Sequence, residues 1–304
     1  MNDILKGKIV FASGQTGHYN IWMADADGKH MEKLTDGDFW DDMPNLSPDM
    51  SRIAFTSDRS GTPEIWIMNP QGQSMERITS DGKWNDYPKW MPDGKSILYR
   101  SNAEGVPGMW IIEAGTRERR KITPSGIEVS MAVPSPCGKY VYFSGGSESK
   151  SNIWEIGIDT GELKQLTFSN LDYNPAVSPD NEEIAYVSLR QKKDYNIWIM
   201  KKDGTSPRNI STGLKGVDRF VSFSPDGRFL LFTMGHFQYS AGRIWLMNSD
   251  GTNPRELIMD RSKLQNIKTV SYKAVPAFLK KLIESLMIDK YYFGNDRNPH
   301  WMEL

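Results

Sequence analysis

Cysteine is almost absent from this chain: Cys137 is the only one in 304 residues. A single thiol allows no internal disulfide and no cysteine-built zinc site. Histidine is nearly as scarce, with His18, His30, His236 and His300. No two of them form a His-x-His or His-Glu-x-x-His pair, so the familiar zinc-hydrolase motif is excluded. A Gly-x-Ser-x-Gly nucleophile elbow is also missing. No stretch approaches the roughly 20 apolar residues of a membrane-spanning helix, and the opening Met-Asn-Asp-Ile-Leu-Lys-Gly has no apolar signal core. As written, the chain is expected in the cytoplasm, or in the periplasm if a leader has been trimmed. The net charge of −1 gives no electrostatic drive toward nucleic acid or an anionic membrane.

What the chain has in abundance is a beat. Trp22, Trp66, Trp110, Trp154 and Trp198 stand 44 residues apart, and Trp245 follows 47 later. Their phrases are alike: Asn-Ile-Trp-Met at 20–23, Glu-Ile-Trp-Ile at 64–67, Asn-Ile-Trp-Glu at 152–155, Arg-Ile-Trp-Leu at 243–246. A period near 44 is the length of one propeller blade. Leu34, Ile78, Ile122, Leu166 and Ile210 keep the same spacing, each followed by Thr or Ser.

Residues 44–79 show what one repeat builds. Arg52–Ser57 and Glu64–Met68 are rich in β-branched and aromatic residues, as strands are. Between and around them lie turn formers: Ser47-Pro48-Asp49, Asp58–Gly61 and Asn69–Gly72. Four short antiparallel strands follow, with faces too apolar to stand alone, so neighbouring sheets must stack on them. The tryptophan on the third strand reads as a packing residue because it recurs in every blade. Cys137 takes the place of Asp in the Ser-Pro-Asp-Gly turn, a tolerated substitution.

The ends of the chain fit one blade between them. Asn298-Pro-His-Trp-Met302 repeats Tyr87-Pro-Lys-Trp-Met91, an innermost strand, while Gly7–Phe11 repeats the start of a second strand at Gly94–Leu98. The expected fold is therefore all-β: a six-bladed propeller of four-stranded blades, one domain over 1–304, closed by N- and C-terminal strands. One insertion, 259–296, breaks the repeat between the last outer strand and the closing inner strand. In it Val275, Phe278, Leu279, Leu282, Ile283, Leu286 and Met287 follow helical spacing, and Pro276 suits a first turn. Such a helix would cover the propeller, act as a lid, or dock a partner.

Taken together, Ile-Trp-Met-x-x-x-Asp-Gly, Leu-Thr and Ser-Pro-Asp-Gly-Lys repeated in a ring resemble the TolB-type propeller repeat, over about residues 7–258 and 297–304. The resemblance implies a binding role or an enzymatic one. TolB is a periplasmic partner of the lipoprotein Pal, while other members are propeller domains of prolyl oligopeptidase-like enzymes and a pectic oligosaccharide lyase. The N-terminal domain of TolB and the hydrolase domain of the peptidases have no counterpart in this sequence. The lyases use a histidine-rich metal site in the channel, and here only His300 falls on an expected inner strand.

Candidate site residues lie where inner strands begin. Three residues before the proline of each, or its equivalent, the column reads Asp41, Asn85, Val129, Asp172, Asp218 and Asp296, and beside it Asp42, Asp86, Ser130, Tyr173, Arg219 and Arg297. Like charges around a pore call for compensation. A divalent cation, calcium or magnesium given the oxygen donors, a basic peptide or ordered water would supply it; alternatively these side chains cap the tight blade connections through local backbone hydrogen bonds. A binding rim is expected from the loops bearing His18 and Tyr19, and His236, Phe237 and Tyr239, which flank the joint of first and last blades. We expect a monomeric, non-catalytic platform for a protein or peptide at this face. A hydrolase or lyase acting on an oligosaccharide or peptide in the channel is the alternative.

Overall fold

The computed structural model describes residues 7–13, 18–146, 150–190, 195–214, 217–235 and 243–257. It is a six-bladed β-propeller. In chain order the first blade holds β1 (Lys8–Ser13), β2 (Asn20–Asp25) and β3 (Glu32–Lys33). The second has β4 (Asp41–Leu46), β5 (Ile53–Ser57), β6 (Glu64–Met68) and β7 (Glu76–Arg77), and the third β8 (Asn85–Trp90), β9 (Ser96–Ser101), β10 (Gly108–Glu113) and β11 (Arg119–Lys121). The fourth contains β12 (Glu128–Pro134), β13 (Tyr140–Gly146), β14 (Asn152–Gly157) and β15 (Leu163–Gln165). The fifth is β16 (Asp172–Val177), β17 (Glu183–Ser188), β18 (Asn196–Lys201) and β19 (Arg208–Asn209), and the sixth β20 (Val217–Phe223), β21 (Phe229–Gly235), β22 (Arg243–Asn248) and β23 (Arg255–Glu256). Every sheet is antiparallel and runs in simple sequence order. The described residues contain no α-helix, hence none long and apolar enough to cross a membrane. The expected helical insertion at 259–296 and closing strand at 298–302 lie outside the described residues.

Six apolar clusters hold the ring, one at each junction. Ala12, Ile21 and Leu34 of the first blade meet Ile53, Phe55 and Met68 of the second. Equivalent clusters join the second to the third, the third to the fourth, the fourth to the fifth and the fifth to the sixth. Phe11, Trp22, Ala24 and Met31 meet Ile244 and Leu257, so the sixth blade packs back on the first. Phe55, Ile53, Ile65 and Tyr99 are fully buried, and each large apolar side chain so placed contributes about 1.5–3 kcal/mol.

The recurrent motifs have local causes. The Thr or Ser after the outer strand accepts a hydrogen bond from the third strand: Thr35 from Ile21 N, Thr79 from Ile65 N, Thr123 from Met109 N, Thr167 from Ile153 N and Ser211 from Ile197 N, each at 2.9 Å. At the opposite end, the serine of Ser-Pro-Asp takes the N–H of the second strand, as in Arg52 N to Ser47 Oγ at 3.0 Å and Glu183 N to Ser178 Oγ at 2.9 Å. It donates in turn to the turn aspartate, 2.6 Å for Asp49 and 2.5 Å for Asp180. Cys137 stands in that aspartate's place, its Sγ 3.3 Å from Ser135 Oγ.

Inner strands share one irregularity that sets the site. Between Asp42 and Asn45, Asp86 and Lys89, Val129 and Ala132, Tyr173 and Ala176, and Arg219 and Ser222, the pairing shifts by a β-bulge. Within four of these, Met43, Tyr87, Asn174 and Phe220 adopt φ of 50–53°, a region that side-chain-bearing residues seldom occupy. A bulge re-aims the side chains beside it, here the residues at the start of each inner strand.

The candidate site where inner strands begin

At this end of the ring three sets of groups converge: the first residues of inner strands, the loops between second and third strands, and the blade connections. Asp41, Asn85 and Asp172 each open an inner strand and are fully buried. They are not left as a ring of bare charge. Arg59 Nη2 donates to both oxygens of Asp41 at 2.9 Å, and Arg190 grips Asp172 through Nε at 3.2 Å and Nη2 at 2.8 Å. Each arginine sits 18 residues downstream, in the loop after the second strand, and stacks over its own blade's tryptophan: Arg59 lies 5.2 Å from the Trp66 centroid and Arg190 4.9 Å from Trp198. In the third blade the pair is replaced in concert, with Asn85 for the aspartate and Ala103 for the arginine. Compensation for Asp41 and Asp172 thus comes from arginines of their own blades, a pairing the sequence reading did not name. Asp218 lies in β20 and its side chain is outside what the structure describes; Asp296 and Arg297 lie outside the described residues altogether.

Asn85 keeps different company. Its Nδ2 donates to Glu64 Oε2 at 2.8 Å and to Asp81 Oδ1 at 2.7 Å. Glu64 is buried and also accepts from Thr79 Oγ1 and from Gly82 N at 3.1 Å. Burial pushes Asp81 up, but the hydrogen bonds from Arg119, Asn85 and Lys83 N hold its carboxyl below the ordinary range. Sequence reading missed Glu64, although the signal was there: Asn20, Asn152 and Asn196 occupy its place in sister blades.

The second column is more polarised. Asp86 is gripped by Arg100, with Nε to Oδ1 at 2.7 Å and Nη2 to Oδ2 at 2.5 Å, and Trp84 Nε1 donates to Oδ2 at 2.6 Å. The Arg100 guanidinium also stacks 4.7 Å from the Tyr87 ring. Among the described residues Asp42 has no such cation. Met43 N donates to its Oδ1 at 2.6 Å, while Oδ2 is buried with no hydrogen-bond partner. Burial, reinforced by the charges of Asp86 and Asp41, pushes its carboxyl up to about 7. Deeper along β8, Lys89 forms no ion pair among the described residues, and the surrounding protein pulls its pKa down.

Of the expected rim, His18 is exposed and its Nε2 lies 3.4 Å from Asp38 Oδ1. Tyr19 packs against the junction of the first two blades, and its carbonyl accepts Asp41 N at 3.1 Å. His236, Phe237 and Tyr239 fall outside the described residues. The same end carries apolar surface that periodicity gave no reason to expect: Phe39, Val106 and Phe168 are 40%, 44% and 73% exposed. Phe39 and Phe168 are in blade connections, and Val106 is in a second-to-third-strand loop. Among the described residues no group of three or more His, Cys, Asp or Glu is placed to hold a metal ion.

With this geometry established, comparison with known proteins gives consistent results. A family model described as the TolB β-propeller domain matches residues 6–106 and 88–269. TolB from Acinetobacter baumannii superposes with a TM-score of 0.72 at 24% identity, over 84% of this chain and 64% of that one. This chain thus spans less than two thirds of that protein's length. A protein assigned to TolB in Agrobacterium tumefaciens gives 0.68 at 23% identity, over 75% and 84%. An oligogalacturonate lyase from Vibrio parahaemolyticus gives 0.56 at 14%, over 82% and 72%. No match is found among curated proteins. At these identities the solved structures speak for the fold, and the family match for membership: the chain belongs to the TolB β-propeller domain family.

Proposed function

We propose that this propeller is a non-catalytic platform that receives a protein or peptide segment on the end where inner strands begin. The supporting observation is the pairing of two features there. Phe39, Val106 and Phe168 are apolar side chains left open to solvent at this end, against Met50 and Tyr140 at the other, and Phe168 is the most exposed of the five. The carboxylates Asp41, Asp86 and Asp172 nearby are engaged with Arg59, Arg100 and Arg190, which makes them parts of the scaffold that holds those loops. An apolar patch rimmed by polar groups marks a protein contact site, and the reading takes Phe168 as the centre of one. The TolB structures that this propeller is similar to lend the reading its prior.

Photo-crosslinking tests it. A photoreactive residue at position 168 should yield a discrete protein adduct in cell extract, and the same probe at Tyr140, on the opposite end, should not. Equal labelling at both positions, or none at either, would remove the platform reading. The likeness to an oligogalacturonate lyase keeps the other class testable. Oligogalacturonate incubated with the protein and manganese should stay intact, and unsaturated products that persist on purification would establish the lyase instead.

A further inference from the structure

The second and third blades share a frame but not a cation. In the third, Asp86 lies across the strand from Arg100 and takes two N–H groups from its guanidinium. Trp84 Nε1 donates to the same carboxylate, and the Tyr87 ring lies against the guanidinium. In the second blade Asp42 is paired instead with Thr56. Trp40 takes the place of Trp84, the two rings 6.1 Å apart, and Met43 that of Tyr87, with φ of 52° against 53°. Among the described residues Asp42 Oδ2, Thr56 Oγ1 and Trp40 Nε1 are then all buried without a hydrogen-bond partner. Asp42 and Thr56 are 4% and 1% exposed, so bulk water does not serve them.

The open groups state what they lack. A carboxylate withdrawn from water is costly unless a cation and hydrogen bonds replace the water. The rise of the Asp42 carboxyl to about 7 expresses that lack, and Asp86 and Asp41 add to it. The nearby arginines are already spent, Arg59 on Asp41 and Arg100 on Asp86. A metal ion is a poor complement, since no group of three or more His, Cys, Asp or Glu among the described residues is placed to hold one. A guanidinium is a good one: it is planar, always charged, and has several N–H donors to divide between Asp42 and Thr56 Oγ1. It is also what the sister blade uses. An ionised Asp42 can then accept from Trp40 as Asp86 does from Trp84.

The surroundings suit an arginine carried by another chain. Phe39, 40% exposed, stands three residues before Asp42, and the adjacent Asp38 has a side chain 93% exposed. An apolar contact beside a carboxylate matches an arginine with an apolar neighbour, and arginine is enriched among residues that dominate interfaces. Met43 is partly buried, unbranched and flexible, and yields more readily to an entering side chain than the tyrosine of the third blade. We propose that, as the specific contact of the platform, Asp42 and Thr56 receive an arginine side chain of the bound protein or peptide, so that the partner supplies the guanidinium that Arg100 supplies in the third blade. The source of the guanidinium rests on the platform reading; the preference for one does not.

N-Acetylarginine amide tests the site, with N-acetylcitrulline amide as its uncharged isostere. Titrated into the full-length protein, the arginine compound should shift the Trp40 indole N–H resonance saturably. The citrulline compound should bind at least about tenfold more weakly, the cost of losing a charged hydrogen bond. Asp42→Asn should remove that difference. Thr56→Arg, which reproduces the third blade's arrangement, should abolish probe binding and raise the unfolding temperature by about 2–4 °C. An equal response to both compounds, no response to either, or probe binding that survives Thr56→Arg overturns the arginine site; the comparison of the two compounds requires no variant to fold. The partner is tested separately. In photo-crosslinking from position 168, Asp42→Asn should lower the adduct yield about tenfold. An adduct formed in unchanged yield overturns the arginine contact and spares the platform, whereas no adduct from the parent protein overturns both.

Discussion

Arg100 should be the most sensitive charged residue of the described ring. It is 6% exposed, donates twice to Asp86 and stacks on Tyr87. Replacing it with Met keeps an apolar stem but leaves Asp86, among the described residues, with the Trp84 indole N–H as its one remaining strong donor. Removing one member of a buried ion pair costs about 3–5 kcal/mol, because the remaining charge is stranded. Asp42, a second carboxylate within electrostatic reach, keeps the expected value at the upper end. Urea unfolding at pH 7 is the assay. The pH dependence has a definite sign. A stranded buried carboxylate prefers its proton in the folded state, so the folded protein binds more protons than the unfolded one. Stability then falls as pH rises, and the Arg100→Met penalty should be smaller at pH 5 than at pH 8. Changing both partners, Arg100→Met with Asp86→Leu, should recover part of the loss, since an apolar pair can substitute for a buried ionic one. Recovery should be incomplete because the Trp84 N–H loses its acceptor, worth about 1–3 kcal/mol. A single-variant loss below about 1 kcal/mol, or one that does not change between pH 5 and 8, would refute the view that Arg100 exists to neutralise Asp86.

Two further outcomes are expected. Thr167→Val removes the acceptor of the Ile153 N–H at a buried position, so thermal unfolding should show a loss of about 1–3 kcal/mol, and an unchanged melting point would mean that this recurrent threonine is not a stabilising latch. Lys89→Met should hold or raise stability at pH 7, because burial disfavours the lysine's charged form; the gain should shrink at pH 10, where the wild-type ammonium loses its proton more easily, and a clear loss at pH 7 would show that the ammonium has a partner.

The parts of this molecule that were legible in its sequence are those that repetition writes many times. Blade number, strand order, the Leu-Thr latch and the Ser-Pro-Asp turn each recur, so a pattern at a fixed spacing reveals them. Their physical causes turned out to be local, within 2 to 14 residues along the chain. The aspartate column was legible as a position but not as a role. Its partners Arg59 and Arg190 lie 18 residues away, in loops that read as ordinary surface charge. The clue was the concerted change to Asn85 and Ala103 in the third blade, which speaks of pairing rather than of a shared ion. Exposure of Phe39 and Phe168 was not legible, since their neighbours Trp40 and Leu171 are just as apolar and only the path of each connection decides which side chain turns inward.

That contrast bears on where function should be sought in a repeat protein. A residue that recurs from blade to blade is explained by a contact that recurs with it, and for Asp41 and Asp172 that contact is an arginine over a tryptophan. Function then belongs to positions where the repeat is broken without a compensating change. Asp42 is one: its column has an aspartate in the next blade too, yet only Asp86 has an arginine across the strand. Phe168 is another, standing 73% exposed where sister connections carry Asp36, Ser80 and Pro124. Neither break has an answer within the described residues. A partner that covers Phe168 should therefore approach the fourth-to-fifth blade connection. Phe168→Ser should weaken capture at that face while leaving unfolding within about 0.5 kcal/mol of the parent, as for other exposed substitutions, and a large loss of stability on that change would make the phenylalanine part of the scaffold instead.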